Sequence, residues 1–452
     1  MLKQKPADYF LVLVSLVGYY FLGYVIPRYH TLPLFATYGI LFLVYLWILK
    51  DHFSTSIIFW VVASLACRSV LLFSLPQLSD DFYRFIWDGR LWAAGHHPFA
   101  ALPAEYLSRN ISGVDQELYN HLNSKPYFAI YPPVAQYVFW VAVKISPGSI
   151  AGSVVAMRMI ILLAEGGSLL LIHHLLKKFN LPAKNILLYA LNPLIIIELA
   201  GNLHFEAVVI FFVLFSVFLF ARQKIILSAA SLSVAICAKL IPLIFLPAFF
   251  GRMTRKKLFI YFSVIVVTCL LIFIPFLNRE VINTWQSVGL YFNKFEFNAS
   301  LYYLVREWGY SWYGYNIIQT VGWKLAFITF ILIMTFTWIR NRQSQLKQVV
   351  RDEQSFFLEW MWMLSIYFLF TTTLHPWYIS ILLALSVFTP YRFVVIWTGL
   401  IFLTYAGYTL DTFKENLWLT AIEYLAVAGY LGYELWGRRG TLYFQRRKPV
   451  SS

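Results

Sequence analysis

Two adjacent carboxylates are the residues of this chain best placed to do chemistry. Asp80 and Asp81 directly follow an apolar run that ends near position 75. Neighbouring carboxylates at the edge of a membrane are costly, because each disfavours ionisation of the other and apolar surroundings raise both pKa values. One such group can act as a general base on a hydroxyl, and two can hold a divalent cation such as Mg²⁺ or Mn²⁺. A structural interpretation also stays open, in which Ser79 or Asp80 caps the following helix.

Histidines and aromatic residues form two further candidate groups. His204 and Glu206 lie in the most apolar third of the chain and could bind a phosphate and a sugar hydroxyl. His375, with the free amides of a helix that begins after it, could receive a phosphate while Trp377 packs on a sugar or an apolar chain. The alternatives are an interhelical hydrogen-bonded pair for the first group and an interfacial anchor for the second.

Two cations, Arg158 and Lys239, lie inside apolar windows. A buried cation is a suitable counter-ion for a phosphate. Either side chain could instead extend to the membrane surface or pair with Glu165.

The elements that must position these residues are membrane helices. The chain has 452 residues, of which 60% are hydrophobic and 13% charged, and this is too apolar for a soluble domain. The net charge of +15 occurs in short clusters between apolar runs, as expected for cytoplasmic loops of a membrane protein, so nucleic acid is excluded as a partner. The three cysteines have neither disulfide nor metal-ligand spacing.

Apolar windows predict about 11 to 14 transmembrane helices in a single all-α domain over residues 1–452. The windows lie near residues 10–27, 32–50, 54–75, 133–146, 151–175, 185–200, 205–221, 225–250, 258–277, 313–339, 355–372, 376–390, 392–410 and 416–436. A break near Lys239, Pro242 and Pro247 is expected, because proline removes a backbone donor and kinks a helix.

The cationic clusters orient the chain. Those at residues 252–257, 340–351 and 438–448 should face the cytoplasm. The loops 79–132 and 278–312 then fall on the extracytoplasmic side, together with the turn around His375. The sequence thus predicts a structured first extracytoplasmic loop that carries the acidic pair.

This loop carries a recognisable pattern of residues. Asp81 lies eight residues before Gly89, and Gly95, Pro98 and Phe99 complete the string. The string resembles the first extracytoplasmic loop of the GT-C superfamily of integral-membrane glycosyltransferases. In detail it is similar to bacterial polyprenyl-phosphate-mannose-dependent mannosyltransferases, which read Asp, eight residues to Gly, then Gly-x-x-Pro-aromatic.

The resemblance continues along most of the chain. It includes Tyr131-Pro132-Pro133, Asn192-Pro193, Gly201 to Glu206, Lys239 to Pro242 and His375 to Tyr378. It implies that Asp81 is the catalytic base, with Asp80 as an alternative or as a metal-ligand partner. The residues expected to bind the donor phosphate or the substrate are Arg84, Asp88, Arg90, Tyr131, Asn202, His204, Glu206, Lys239, His375, Trp377 and Tyr378.

The resemblance implies an enzyme of the bacterial cytoplasmic (inner) membrane with an extracytoplasmic active site. It would move a sugar, mannose above all, from a polyprenyl phosphate to a hydroxyl of a lipid or glycan acceptor, with inversion. No cofactor is required, although a divalent cation held by Asp80 and Asp81 is compatible with the pair. The rival interpretation is a transporter or lipid flippase in which Asp81, Glu206 and Lys239 line a translocation path. A third is a non-catalytic assembly subunit, which predicts that the acidic pair tolerates replacement.

Overall fold

The computed structural model describes residues 5–50, 56–277, 281–348, 351–410 and 412–437, with the side chains of 281, 282 and 285 excepted. The predicted cationic cluster at 438–448 lies outside these residues. The described residues are mostly helical and form no strands, only two isolated β-bridges that pair Phe297 with Thr373 and Tyr408 with Phe413. The predicted all-α fold is therefore confirmed.

The described ranges contain α-helices and shorter segments of 3-10 or π-helix. The α-helices are α1 Pro6–Tyr20, α2 Thr31–Lys50, α3 Ile57–Val70, α4 Asp81–Ala93, α5 Pro103–Leu107, α6 Gln116–Asn120, α7 Pro133–Ile145, α8 Ile150–Lys178, α9 Ile186–Ala190, α10 Pro193–Ile195, α11 Glu206–Phe220, α12 Ile225–Ala238, α13 Arg255–Phe273, α14 Val281–Asn293, α15 Leu301–Tyr313, α16 Ile318–Leu346, α17 Ser355–Phe370, α18 Ile379–Ser386, α19 Phe393–Leu400 and α20 Leu417–Gly437. The 3-10 segments are Ala183–Asn185, Ile241–Phe249, Ile274–Phe276, Pro376–Tyr378 and Ile401–Gly407, and the π segments are Phe21–Val25 and Ile196–Gly201.

Several of these helices are long and apolar enough to cross a membrane. Five qualify within the described residues, namely Pro6–Val25, Thr31–Lys50, Ile150–Lys178, Arg255–Phe276 and Ile318–Leu346. A sixth span results if the bent pair Ala183–Ala190 and Pro193–Gly201 crosses as one. The protein is thus a multi-pass membrane protein. The number of 11 to 14 spans stays a prediction, because seven further apolar helices have only 10–17 residues.

Two breaks interrupt the helices in the centre of the chain. The helical direction turns by 50° between Ala190 and Pro193. After α12 ends at Ala238, the backbone of Lys239 is extended and a 3-10 segment containing Pro242 and Pro247 follows. The predicted break near Lys239 is present, and the two prolines account for it because they cannot donate to an α-helical ladder.

Helix α4 packs tightly against α7, and Gly89 makes this possible. A Cβ atom at Gly89 would lie 2.6 Å from the carbonyl oxygen of Phe139 and 2.8 Å from its carbonyl carbon. Beyond the end of α4, Gly95 has φ +82°, a left-handed conformation that favours glycine. The two glycines of the sequence pattern therefore fix the position and the end of the helix that begins with Asp81.

Candidate active site

Asp81 is the first residue of α4 and is partly exposed. Its Oδ1 accepts a hydrogen bond of 2.7 Å from Nδ2 of Asn123, and its backbone N–H donates to Oγ of Ser79 at 3.3 Å. Asp80 occupies the N-cap position, but its side chain makes no capping hydrogen bond. The acidic pair is therefore not explained by helix capping through Asp80.

Asp80 differs from Asp81 in having a cationic partner. Nη2 of Arg28 donates to Oδ2 of Asp80 at 2.5 Å, and the Arg28 guanidinium lies 4.8 Å from the ring centroid of Tyr408. Within the described part of the chain, Asp81 has no ion-pair partner. The Asp80 carboxylate is thus paired with a cation, while the side chain of Asp81 is bound to the neutral amide of Asn123.

Tyrosines surround the acidic pair. Burial, and after it the negative charge of Asp81, raise the pKa of Tyr131 and of Tyr291. Burial also raises the pKa of Tyr408 to about 12, although Arg28 acts in the opposite direction. These phenols stay protonated at neutral pH, so the wall beside Asp81 consists of neutral rings and hydroxyl donors. Tyr131, expected at the site from the sequence, is indeed close to Asp81.

The two histidine segments meet on Trp377. The ring of His204 stacks on Trp377 with centroids 3.7 Å apart, and the ring of His375 stacks on Trp377 at 4.5 Å. Nε2 of His204 lies 3.3 Å from Oε2 of Glu198, whose Oε1 accepts a hydrogen bond of 2.6 Å from Tyr405. Positions that are 171 residues apart in sequence thus form one cluster.

His375 is held in its neutral form. Desolvation, followed by the charges of Lys239 and His204, lowers the pKa of His375 to about 3. Its Nδ1 is buried and has no hydrogen-bond partner within the described residues. A buried ring nitrogen without a partner calls for an explanation, and a bound ligand is one such explanation.

Lys239 joins this cluster from the broken end of α12. It pairs with the buried carboxylate of Glu206, and its Nζ lies 4.3 Å from the ring centroid of Tyr378. Tyr378 lies close enough to interact with the charges of both Glu206 and Asp81. It therefore connects the histidine cluster to the acidic pair. About a quarter of the Lys239 side chain is exposed.

Arg158 has a different environment from the one expected. Its side chain is fully buried and donates to the carbonyl oxygens of four residues at helix ends, at distances of 2.6–2.9 Å: Leu72, Ser74, Ala200 and Gly201. The alternatives that Arg158 extends to the surface or pairs with Glu165 are wrong, and its role as a counter-ion for a phosphate stays a prediction. Glu165 instead accepts hydrogen bonds from Arg68, at 3.0 Å to Nε, and from Tyr189.

Asn202 reinforces the connection made by Arg158. Its Oδ1 accepts a hydrogen bond of 3.2 Å from the amide of Leu78, and its Nδ2 donates to Glu198 at 3.2 Å. Residue 78 leads directly to the acidic pair, and Asn202 leads to His204. The two hydrogen bonds of Asn202 therefore fix the position of the segment before Asp81 relative to the histidine cluster.

Arg84, Asp88 and Arg90 use their polar atoms within the protein. Nε of Arg84 donates to Asp88 at 2.8 Å, and its Nη1 donates to the carbonyl of Tyr127 at 3.0 Å. Arg90 donates to the carbonyls of Gly113 at 2.6 Å and Gly148 at 3.1 Å. Burial raises the pKa of Asp88, whereas Arg84 counteracts that shift. These bonds tie α4 to the chain at residues 113, 127 and 148, and a direct contact of Arg84, Asp88 and Arg90 with substrate stays a prediction.

A metal site at the acidic pair has few available ligands. Across the described ranges, no group of three or more His, Cys, Asp and Glu side chains could hold a metal ion. A cation held by Asp80 and Asp81 would have to displace Arg28 from Asp80. The metal role of the pair stays a prediction.

Sequence reasoning missed two contacts of the acidic pair, those of Arg28 and Asn123. Arg28 did carry a signal, because it follows the first apolar run on the side that the cationic clusters assign to the outside. A cation there departs from the positive-inside rule and invites a specific explanation. Asn123 lies in a polar loop, and no feature of the sequence marked it as a partner of Asp81.

The apolar helices and the acidic pair at the start of a packed helix define a multi-pass membrane protein with an enzyme-like site. Residues 19–255, slightly more than half of the chain, match the family described as alpha-(1->6)-mannopyranosyltransferase, N-terminal domain. The chain belongs to this family, which consists of GT-C type mannosyltransferases, and the resemblance found in the sequence is confirmed. Comparison with curated proteins gives no match. The chain is accordingly a glycosyltransferase, which favours the enzyme over the transporter or flippase.

Proposed function

We propose that the protein transfers mannose from a polyprenyl-phosphate donor to a hydroxyl of a lipid or glycan acceptor, with Asp81 as the general base. The observation that carries the proposal is the difference between the two carboxylates. Asp80 is neutralised by Arg28, whereas Asp81 is partly exposed and bound only to neutral donors among the described residues. A general base needs a carboxylate oxygen available to the acceptor hydroxyl; Arg28 occupies Asp80, whereas no cation among the described residues occupies Asp81.

The proposed reaction is a single displacement with inversion. Asp81 takes the proton of the acceptor hydroxyl, whose oxygen forms a bond to the anomeric carbon as the bond from that carbon to the phosphate oxygen breaks. The electron pair leaves with the polyprenyl phosphate, and the proton on Asp81 is later released to water. One carboxylate suffices, because a phosphate leaves as an anion that nearby cations stabilise.

The donor phosphate is proposed to bind at the histidine cluster. Lys239 is partly exposed and supplies a positive charge, while neutral His375 has a buried ring nitrogen free to bond a phosphate oxygen. Glu206 and Tyr378 hold the Lys239 ammonium in place. Tyr378 contacts Lys239 and also lies close enough to Asp81 to interact with its charge. A phosphate bound at Lys239 would therefore put the sugar between Lys239 and Asp81.

We place the site on the extracytoplasmic side of a bacterial inner membrane, and the packing of α13 is consistent with that side. This helix begins within the cationic segment 252–257 and is followed by Phe276, whose ring lies 5.7 Å from that of Phe99 in the outer loop. Arg252 of the same segment donates to the carbonyl of Arg351 at 3.5 Å, so two predicted cytoplasmic clusters meet. The cations and the loop that carries Asp81 are therefore at opposite ends of one span, as the positive-inside rule requires.

The test is mannosyl transfer by the purified protein in lipid nanodiscs with polyprenyl-phosphate mannose as donor. Asp81→Asn should lower the rate by about 10²–10⁴-fold, the usual contribution of a general base. Glu117→Gln is the matched control, since Glu117 is an exposed acid of the same loop. If Asp80→Asn abolishes transfer while Asp81→Asn does not, Asp80 is the base. Full activity of both variants would refute the mechanism, and transfer from a nucleotide sugar alone would refute the donor.

A further inference from the structure

Helix α15 exposes a stripe of large apolar side chains. Leu304, Trp308 and Trp312 follow one another at intervals of four residues, and between half and three quarters of each side chain is exposed. Tyr302, Tyr303 and Gly309 on the other side of the helix are buried. An exposed apolar stripe of this kind marks a surface that contacts a partner or a membrane.

The surroundings of α15 identify a lipid surface as the partner. With 13 residues the helix is too short to cross a bilayer. At Gly314, where φ is +77°, the chain turns into α16, one of the five candidate spans. The first turns of α16 expose Trp323 and Phe327. The stripe on α15 is thus continuous in sequence with the lipid-facing surface of a spanning helix, and it is rich in tryptophan, which is enriched at membrane interfaces.

Polar contacts fix the orientation of α15. Nη1 of Arg306 donates to Glu296 at 2.9 Å, and the hydroxyl of Tyr302 donates to Asn316 at 2.6 Å. Tyr303 donates to Glu415 of the segment before α20. Glu307, next to Trp308, is exposed and belongs to the polar flank of the stripe. The helix is therefore held in one orientation and presents one apolar side and one polar flank.

The segment before α15 reaches the histidine cluster. The amide of Phe297 donates to the carbonyl of Thr372 at 3.0 Å, and the amide of Leu374 donates to the carbonyl of Phe297 at 2.8 Å. The Phe297 ring lies 4.6 Å from that of His375. Only three residues separate Phe297 from the start of α15, so a displacement of the helix would be transmitted to this bridge.

We propose that α15 is an interfacial helix, with Leu304, Trp308 and Trp312 at the boundary between headgroups and acyl chains, and that this anchor fixes the Phe297 bridge to the His375 segment. A lipid surface is the single partner that the stripe requires. The inference is independent of which carboxylate is the base.

Spin labels report the depth of the helix directly. Cysteine is introduced singly at positions 304, 308, 312 and 307, the protein is labelled with a nitroxide in phosphatidylglycerol and phosphatidylethanolamine nanodiscs, and collisions with oxygen and with a water-soluble nickel complex are measured. The parent chain, labelled in parallel, corrects for Cys67, Cys237 and Cys269. Labels at 304, 308 and 312 should collide mainly with oxygen, and the label at 307 with nickel. Equal nickel access at all four positions would overturn the proposal, and protection of the stripe from both reagents would show a protein contact and overturn it too.

Hydrogen exchange tests the connection to the bridge without using activity. The double variant Trp308→Ser/Trp312→Ser should speed exchange of the Phe297 and Leu374 amides by about tenfold or more, because the anchor no longer opposes local opening. Trp338→Ser is the control, since Trp338 is an equally exposed tryptophan farther along α16. Unchanged exchange in the double variant, with labels that still report lipid, would refute the role of the anchor while leaving the location of the helix standing.

Discussion

Replacing Gly89 by alanine tests whether the packing of α4 on α7 sets the position of Asp81. A Cβ at Gly89 would meet the backbone of Phe139 at 2.6 Å, whereas ordinary van der Waals contacts begin at 3.4 Å. The obstacle is backbone, which cannot rotate away as a side chain can. The two helices must therefore separate by about 0.8 Å at this point.

The displacement should cost both stability and rate. Overpacking of this kind destabilises a protein by about 1–3 kcal/mol. Asp81 lies eight residues, or about 12 Å, along the same helix, so it moves with Gly89. A misplacement near 1 Å lowers a reaction rate by about 10²-fold when the reacting groups must be aligned. We therefore expect Gly89→Ala to lower kcat by roughly 10- to 100-fold, with a smaller change in KM.

The assay is steady-state mannosyl transfer in nanodiscs, together with the unfolding temperature. Gly166→Ala is the matched control, because Gly166 lies within α8 and an added Cβ there meets no atom within 4 Å. It should leave the rate unchanged and should not lower the unfolding temperature. Wild-type activity of Gly89→Ala would refute the reasoning, since it would show that Asp81 does not depend on this contact. A similar loss in Gly166→Ala would point to a general effect of helical substitutions.

Three further predictions concern buried or partly buried cations and histidine. Arg158→Gln should lower the unfolding temperature strongly, because four carbonyl oxygens, three of them in buried bonds, lose charged donors worth about 1.5–3 kcal/mol each. Arg158→Lys should recover part of that loss in the same unfolding scan. Lys239→Gln should raise the KM for the donor about tenfold or more while Lys239→Arg raises it less, as measured by initial rates over a range of donor concentrations. Because the pKa of His375 is lowered from 6.5 to about 3 on folding, unfolding takes up a proton between these values, and stability present above pH 6.5 is lost as the pH falls toward 3. His375→Gln should flatten the dependence of the unfolding temperature on pH in that window, and an unchanged slope would contradict the assignment.

The sequence predicted those features that composition and local residue chemistry determine. The apolar windows were read correctly as helices, because lipid requires every backbone polar group to be satisfied within the segment. The break at Lys239 followed from two prolines, and the first position of Asp81 in α4 followed from the polar residues that precede it. The spacing of Gly89 and Gly95 acquired a physical meaning only in the fold, where one permits a close approach and the other a left-handed turn.

Partners that are far apart in sequence could not be predicted. Arg28 and Asp80 are 52 residues apart, and no periodicity relates them. For Arg158 the sequence offered a phosphate, the surface or Glu165, because its actual acceptors are carbonyl oxygens, which every residue has and which composition cannot distinguish. These carbonyls became available only because helical segments end at Val70 and Gly201 inside the bundle.

Helix ends account for the location of the candidate site as a whole. Asp81 begins α4, Glu206 begins α11, Lys239 follows the end of α12, and His375 immediately precedes the 3-10 segment Pro376–Tyr378. A helix end exposes backbone donors or acceptors that need a polar partner. Polar side chains and a charged ligand are therefore tolerated at a helix end, in apolar surroundings where a continuous helix would exclude them. The same ends are fixed by packing within the bundle, through Gly89 for α4 and through Arg158 for the segments that lead to Asp81 and His204. A glycosyltransferase that works at the membrane needs charged groups held rigidly beside lipid, and interrupted helices clamped by buried residues meet both needs.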